Sequence, residues 1–126
     1  MFRTLLVEDN TTFRKTLHSM LEEQFPLVEV LEAGDGRAAM GSITAQRPDM
    51  VFMDIKLPDE SGLELACRIK THDPSIVVII LSSHDLPEYR QAAYRNGASC
   101  YLCKKNIEPD DIIAIIQGTM SYGIWY

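Results

Sequence analysis

Five times along this chain a short apolar run gives way to a stretch whose apolar residues recur at helical spacing, and that alternation restricts the architecture more than any other feature. Residues 5–7 (Leu-Leu-Val) predict a first strand, after which Phe13, Leu17, Met20 and Leu21 fall at i, i+4, i+7 and i+8, the stripe of a helix lying on a core. A second strand is expected at 28–31, and Gly34-Asp35-Gly36 opens a helix to about residue 46 with Met40 and Ile43 as its core residues. Residues 50–53 form a third strand that delivers Asp54 at its end, and residues 57–62 (Leu-Pro-Asp-Glu-Ser-Gly) have the composition of an ordered loop. A helix on Leu65, Ala66 and Ile69 follows. Residues 76–81 are so continuously apolar that both faces of their strand are expected to be buried, as in the middle of a parallel sheet covered by helices. A helix over 86–95 stops at Asn96-Gly97, a pair suited to a left-handed cap, and 100–103 supply a fifth strand. Pro109, Asp110 and Asp111 suit the first turn of a last helix, whose buried face is Ile112, Ile113, Ile115 and Ile116.

Five βα units without hairpin turns predict an α/β fold, a doubly wound five-stranded parallel sheet with helices on both faces. Such sheets bind ligands beyond the carboxyl ends of their strands, where the strand order reverses. Those ends carry Glu8 and Asp9, Asp54, Ser82 and Ser83, and Lys104. In the common strand order 2-1-3-4-5 the first and third strands are neighbours, so Glu8, Asp9 and Asp54 converge. A like-charge pair a few ångströms apart costs about 4 kcal/mol at an effective dielectric of 20, more than one lysine offsets for three carboxylates. The cluster therefore calls for a cation, and hard oxygen ligands without His or Cys suit Mg²⁺, with Mn²⁺ as the alternative.

With 126 residues, 46% hydrophobic and 24% charged, the chain has room for one globular domain. Its charge of 12 − 18 = −6 argues against a surface that grips nucleic acid or anionic lipid directly. No apolar run approaches the roughly 20 residues of a membrane span, and Glu8 and Asp9 interrupt any signal-peptide core. Three cysteines, Cys67, Cys100 and Cys103, read as reduced thiols, and the expected compartment is the cytoplasm. Cys100 and Cys103, three apart on a strand, point to opposite faces and do not form a redox or zinc motif.

The motifs Val7-Glu8-Asp9-Asn10, Met53-Asp54-Ile55-Lys56-Leu57-Pro58, Gly62-Leu63-Glu64-Leu65, Ile80-Leu81-Ser82-Ser83 and residues 96–104 (Asn-Gly-Ala-Ser-Cys-Tyr-Leu-Cys-Lys), in this order and spacing, resemble the CheY-like receiver domain of bacterial two-component response regulators. The resemblance implies that Asp54 takes a phosphoryl group from a histidine kinase. It implies that Asp9, Asp54, Glu8 and the backbone carbonyl of Lys56 hold Mg²⁺, and that Lys104 pairs with the phosphoryl group. Ser82 matches the hydroxyl that turns towards that group, and Tyr101 the aromatic that swings in behind it. Lys56 and His84, each two residues past one of these positions, are expected to flank the path of hydrolytic water and set the lifetime of the phosphorylated state. Each residue also has a plainer reading: Glu8 as a surface acid at a helix start, Ser82 as a satisfier of backbone groups, Tyr101 as packing.

Lys105 stands where most relatives carry a cis proline, so the Lys104–Lys105 peptide is expected to be trans. This departure, the start of the last helix and the ending Gly123-Ile124-Trp125-Tyr126 resemble the NarL/LuxR-type regulators, in which the receiver leads into a DNA-binding helix-turn-helix domain. The expected organisation is a receiver over 1–118 and a tail over 119–126 that begins a linker, with DNA reached only through an effector domain absent from this sequence. A homodimer on activation is the further expected partner. The chain is expected to catalyse its own phosphorylation and dephosphorylation without being a turnover enzyme. Alternatives are a stand-alone receiver, an unphosphorylated interaction module, and a flavodoxin-like binder or aspartyl phosphatase; Glu8-Asp9-Asn10-Thr11-Thr12 lacks the phosphate loop or second aspartate that the last two need.

Overall fold

The computed structural model describes residues 1–122, in which strands and helices alternate throughout. They are β1 (Arg3–Val7), α1 (Thr11–Gln24), β2 (Glu29–Ala33), α2 (Gly36–Gln46), β3 (Met50–Asp54), α3 (Gly62–His72), β4 (Val77–Ser82), α4 (Pro87–Arg95), β5 (Cys100–Cys103) and α5 (Pro109–Tyr122). All strand pairs are parallel, and the sheet order is β2-β1-β3-β4-β5. The order reverses between β1 and β3, whose carboxyl ends carry the acidic residues. Asp54 pairs with Leu81 and Ser82 with Cys103, so the ends of β3, β4 and β5 are staggered along one edge.

The two-residue period of the strands sorts their side chains into two cores. Leu5, Val7, Val51, Met53, Val78 and Ile80 pack with α2, α3 and α4 on one face; Leu6, Phe52, Ile79 and Leu81 pack with α1 and α5 on the other. The expectation of a β4 buried on both faces is met. Each such aliphatic side chain contributes about 1.5–3 kcal/mol of burial, which makes the sheet a rigid platform for its polar edge.

Helix starts follow directly from the strand ends. Asn10 Oδ1 accepts from Phe13 N–H at 3.0 Å, Asp35 Oδ1 from Ala38 N–H at 2.8 Å, and Ser61 Oγ from Leu63 N–H at 3.2 Å. Asn96-Gly97 ends α4 as expected: Gly97 has φ +98°, its N–H reaches Tyr94 O at 3.1 Å, and Ala98 N–H reaches Ala93 O at 3.0 Å.

Differences from expectation are local. β2 occupies Glu29–Ala33 rather than 28–31, because its partner β1 starts at Arg3, opposite Glu29, and ends at Val7, opposite Ala33. Val28 is buried just ahead of the strand. On α2 the closest packing is by Ala39 and Ile43, while the larger Met40 is half-buried. α5 continues through residue 118 to Tyr122, so the expected boundary between 118 and 119 falls inside a helix. Ile124 and Trp125 lie outside the described residues. Among the described residues the peptide bonds are trans, Lys104–Lys105 included. The cysteines are free, and among the described residues no helix is long and apolar enough to cross a membrane.

Candidate functional site

At the carboxyl edge of β1 and β3, one oxygen each of Glu8, Asp9 and Asp54 lie within 4.8 Å of one another. Glu8 is 4% exposed, Asp54 is half-buried and Asp9 is open to solvent. Lys104, on the residue after β5, reaches across this edge: its Nζ donates to Glu8 Oε1 and, at 3.1 Å, to Asp54 Oδ2. The reach is fixed by the sheet, since Lys104 N–H donates to Ser82 O at 2.8 Å, and by the Phe13 ring, whose centroid lies 4.8 Å from Nζ.

The charges do not balance, because three carboxylates face one ammonium. Burial pushes the Glu8 carboxyl above the ordinary range, with nearby Asp54 adding to it, against hydrogen bonds from Lys104 and Asn10 N–H. Burial disfavours the Lys104 charge, yet hydrogen bonds to Glu8 and Asp54 outweigh it and hold this lysine above its usual value. An all-oxygen donor set of this spacing fits a hard divalent cation and could hold one.

The loop after β3 is shaped to present Asp54. Ile55 O accepts from Gly62 N–H at 2.6 Å, and a Cβ on Gly62 would stand 2.0 Å from Asp54 O, so only glycine fits there. Lys56 pairs with Ser61 across the loop, and its N–H faces Asp54 Oδ1 at 3.4 Å. Asp59 from this loop accepts from Gly36 and Arg37 N–H at 2.8 and 3.0 Å, tying it to the start of α2.

Ser82 is 1% exposed at the end of β4, and its Oγ accepts from His84 N–H at 3.0 Å. Tyr101 is 2% exposed, with its hydroxyl donating to His84 O. Burial pushes the Tyr101 phenol up, and the Ser82 hydroxyl pulls it the other way. The structure therefore joins Ser82 and Tyr101 through the backbone of His84. It does not join Lys56 to His84: no hydrogen bond links them, and the His84 ring lies 5.6 Å from that of Tyr89.

Three residues at this edge escaped the sequence reading. Phe13 stood only as a core residue, whereas it also backs the Lys104 ammonium. Arg14 donates from Nη1 to Glu8 O at 2.5 Å and from Nε to Glu32 Oε1 at 2.6 Å. Arg90 stacks 4.9 Å from the centroid of the Tyr101 ring, donates to Tyr101 O at 3.2 Å and pairs with Asp85 at 2.7 Å. Their signal is spatial: each is an ordinary helix residue until the strand ends beside it are known.

A five-stranded parallel sheet in this order, with acids and a lysine gathered at the switch point, defines a CheY-like receiver fold of the flavodoxin type. The chain belongs to the response regulator receiver domain family, whose profile matches residues 4–117. It is 35% identical over 104 residues to the DNA-binding transcriptional activator DevR/DosR of Mycobacterium tuberculosis, covering 82% of this chain and 48% of that protein. With the transcriptional regulatory protein PdtaR of the same species it shares 38% over 122 residues, 94% of this chain and 57% of PdtaR. It thus spans about half the length of these curated relatives. Among solved structures, a receiver domain protein from Clostridium thermocellum superposes with TM-score 0.87 at 27% identity, covering 96% of this chain and 95% of that one. A CheY-like receiver domain protein from Methanospirillum hungatei does so with TM-score 0.87 at 25% identity, covering 96% and 94%.

Proposed function

We propose that this chain is the phosphorylation-switched receiver of a cytoplasmic response regulator, with Asp54 as phosphoacceptor and a histidine kinase as donor. The observation that carries the reading is the acid trio of Glu8, Asp9 and Asp54 with the Lys104 ammonium bonded to two of its members. In the transfer, an Asp54 carboxylate oxygen forms a bond to phosphorus as the bond from phosphorus to the kinase's histidine nitrogen breaks. An aspartate is a weak nucleophile towards an anionic group, so the need is positioning and charge neutralisation. Glu8, Asp9, Asp54 and the Lys56 carbonyl would hold Mg²⁺, which when bound neutralises charge on the phosphoryl oxygens. Lys104 already rests on Asp54 and is placed to follow an oxygen of the modified side chain.

Ser82 and Tyr101 form the switch. When Ser82 turns its hydroxyl towards the phosphoryl group it gives up His84 N–H, and the same residue's carbonyl holds Tyr101. Modification at Asp54 therefore biases the β4–α4 segment and the face made by α4, β5 and α5, a surface suited to homodimerisation on activation. Lys56 and His84 tune the phosphoryl lifetime, and exchanging both side chains is expected to change the hydrolysis rate. The relatives named as transcriptional regulators, and the half of their length that this chain spans, support output through a DNA-binding domain reached by a linker beyond α5.

The test is intact mass after incubation with acetyl phosphate or phosphoramidate, with and without Mg²⁺. A metal-dependent gain of one phosphoryl group that Asp54→Ala abolishes is expected. No gain with either small donor or with a cognate kinase would instead make the chain an unphosphorylated interaction module.

A further inference from the structure

We propose that Arg14 is a positioning residue for the acidic site: it fixes the peptide between Glu8 and Asp9 and thereby sets the place of the Asp9 carboxylate. The inference rests on the reading of Glu8, Asp9 and Asp54 as a divalent-cation site. Asp9 is the exposed member of the trio, and among the described residues its side chain has no hydrogen-bond or ion-pair partner. Its position comes from the backbone alone. On the amino side, Glu8 N–H is held by Ala33 O at 3.0 Å, and on the carboxyl side Asn10 N–H is held by Glu8 Oε2 at 3.1 Å. The carbonyl of Glu8, which sets the plane of the peptide leading into Asp9, is held by Arg14 Nη1 at 2.5 Å.

That grip is itself anchored. Arg14 Nε bonds Glu32 Oε1 at 2.6 Å, and the other oxygen of Glu32 is held by Lys15 at 3.1 Å and by His18 Nδ1 at 2.6 Å. One guanidinium thus clamps the β1–α1 turn to β2, using two donors in a fixed fork on two acceptors from different elements. A lysine at this position keeps the charge, but its donors radiate from one nitrogen and do not reproduce the separation of Nε and Nη1 that matches the two acceptors.

Charge and geometry make opposite predictions. As a positive group beside the site, Arg14 repels a divalent cation, so its removal would tighten binding if charge were its main effect. If it positions Asp9, its removal weakens binding. Partners of ligating carboxylates typically set metal affinity by about tenfold or more. The experiment titrates the purified chain with Mn²⁺, reading free ion by electron paramagnetic resonance, with thermal unfolding recorded on the same samples.

Arg14→Lys and Arg14→Met are each expected to bind Mn²⁺ about tenfold more weakly than the natural chain. The double variant Lys15→Ala/His18→Gln loosens Glu32 without touching the Glu8 carbonyl; it is expected to lower the unfolding temperature while keeping Mn²⁺ affinity within about twofold. Glu32→Gln leaves Arg14 in place with a weaker anchor and is expected to fall between them, which keeps a readout should an Arg14 variant fail to fold. Natural affinity in Arg14→Lys, or tighter binding in Arg14→Met, overturns the positioning role alone. Absence of Mn²⁺ binding by the natural chain overturns the cation reading and this role with it.

Discussion

Glu8, just past the end of β1, and Glu32, on the neighbouring β2, are both largely shielded from water, and their surroundings drive them in opposite directions. Around Glu32, burial works against the charge, but hydrogen bonds from Arg14, Lys15 and His18 outweigh it and bring the carboxyl down to about 2. Around Glu8, burial and the Asp54 charge prevail over Lys104 and Asn10 N–H, and the carboxyl is pushed up. The first cluster surrounds one acid with more donors than it needs, which is what a structural brace requires. The second gathers three acids with one lysine bonded to two of them, an arrangement that costs stability unless something positive joins it. The contrast separates the part of this edge that braces the fold from the part that could hold a cation, and Arg14 touches both.

The comparison can be broken by geometry as well as by charge, and geometry has the largest expected effect. Gly62→Ala places a methyl group where Asp54 O now lies. It is expected to cost about 3 kcal/mol in urea unfolding while leaving both charge clusters chemically intact. A cost below about 0.5 kcal/mol would show that the Asp54 segment yields freely. Next in size is the response to metal. Mg²⁺ at a hundredfold excess over its Kd is expected to stabilise the chain by about 2.7 kcal/mol, and Asp9→Asn to lose most of that gain. Metal-independent unfolding of the natural chain would remove the distinction between the two clusters.

The same substitution at the two glutamates sharpens it further. In EDTA at pH 7, Glu32→Gln is expected to destabilise by about 1–2 kcal/mol and Glu8→Gln to stabilise by about 1 kcal/mol. Because Glu32 titrates lower in the folded chain than its unfolded value of 4.5, its contribution is complete above that pH and fades as pH falls towards about 2. The stability gap between the natural chain and Glu32→Gln should therefore close between pH 5 and pH 2. The smallest effect isolates polarity from charge: Thr4 is fully buried with a hydroxyl that has no hydrogen-bond partner among the described residues. Thr4→Val is expected to gain about 1 kcal/mol.

Much of this was legible in the sequence because the signals are local. The unbroken apolar run at β4, the Asn96-Gly97 stop and the convergence of Glu8, Asp9 and Asp54 follow from composition, turn chemistry and the strand order of a doubly wound sheet. β2 was less legible. It is an edge strand whose Glu32 faces α1, so its apolar pattern is interrupted by a residue buried through ion pairs rather than by hydrophobicity. His18 carries no such signal in its helix either, though it sits between Glu22 at 2.8 Å and Glu32 at 2.6 Å. Arg14, Arg90 and the platform role of Phe13 depend on which strand end each helix passes, information that spacing along one helix does not contain. The hydrogen bond that Ser82 Oγ accepts from His84 N–H is the plain backbone-satisfying contact weighed beside the proposed switch role.

The most direct test of the central claim is to locate the modification chemically. An acyl phosphate on aspartate is reduced by borohydride to homoserine, so the chain treated with acetyl phosphate and Mg²⁺, then reduced and digested, reports the acceptor by peptide mass. Homoserine at position 54, absent when Mg²⁺ is withheld, is the predicted result. A reduced side chain at Glu8 or Asp9 instead, or none in a chain that has gained phosphoryl mass, would contradict the assignment of Asp54 as phosphoacceptor.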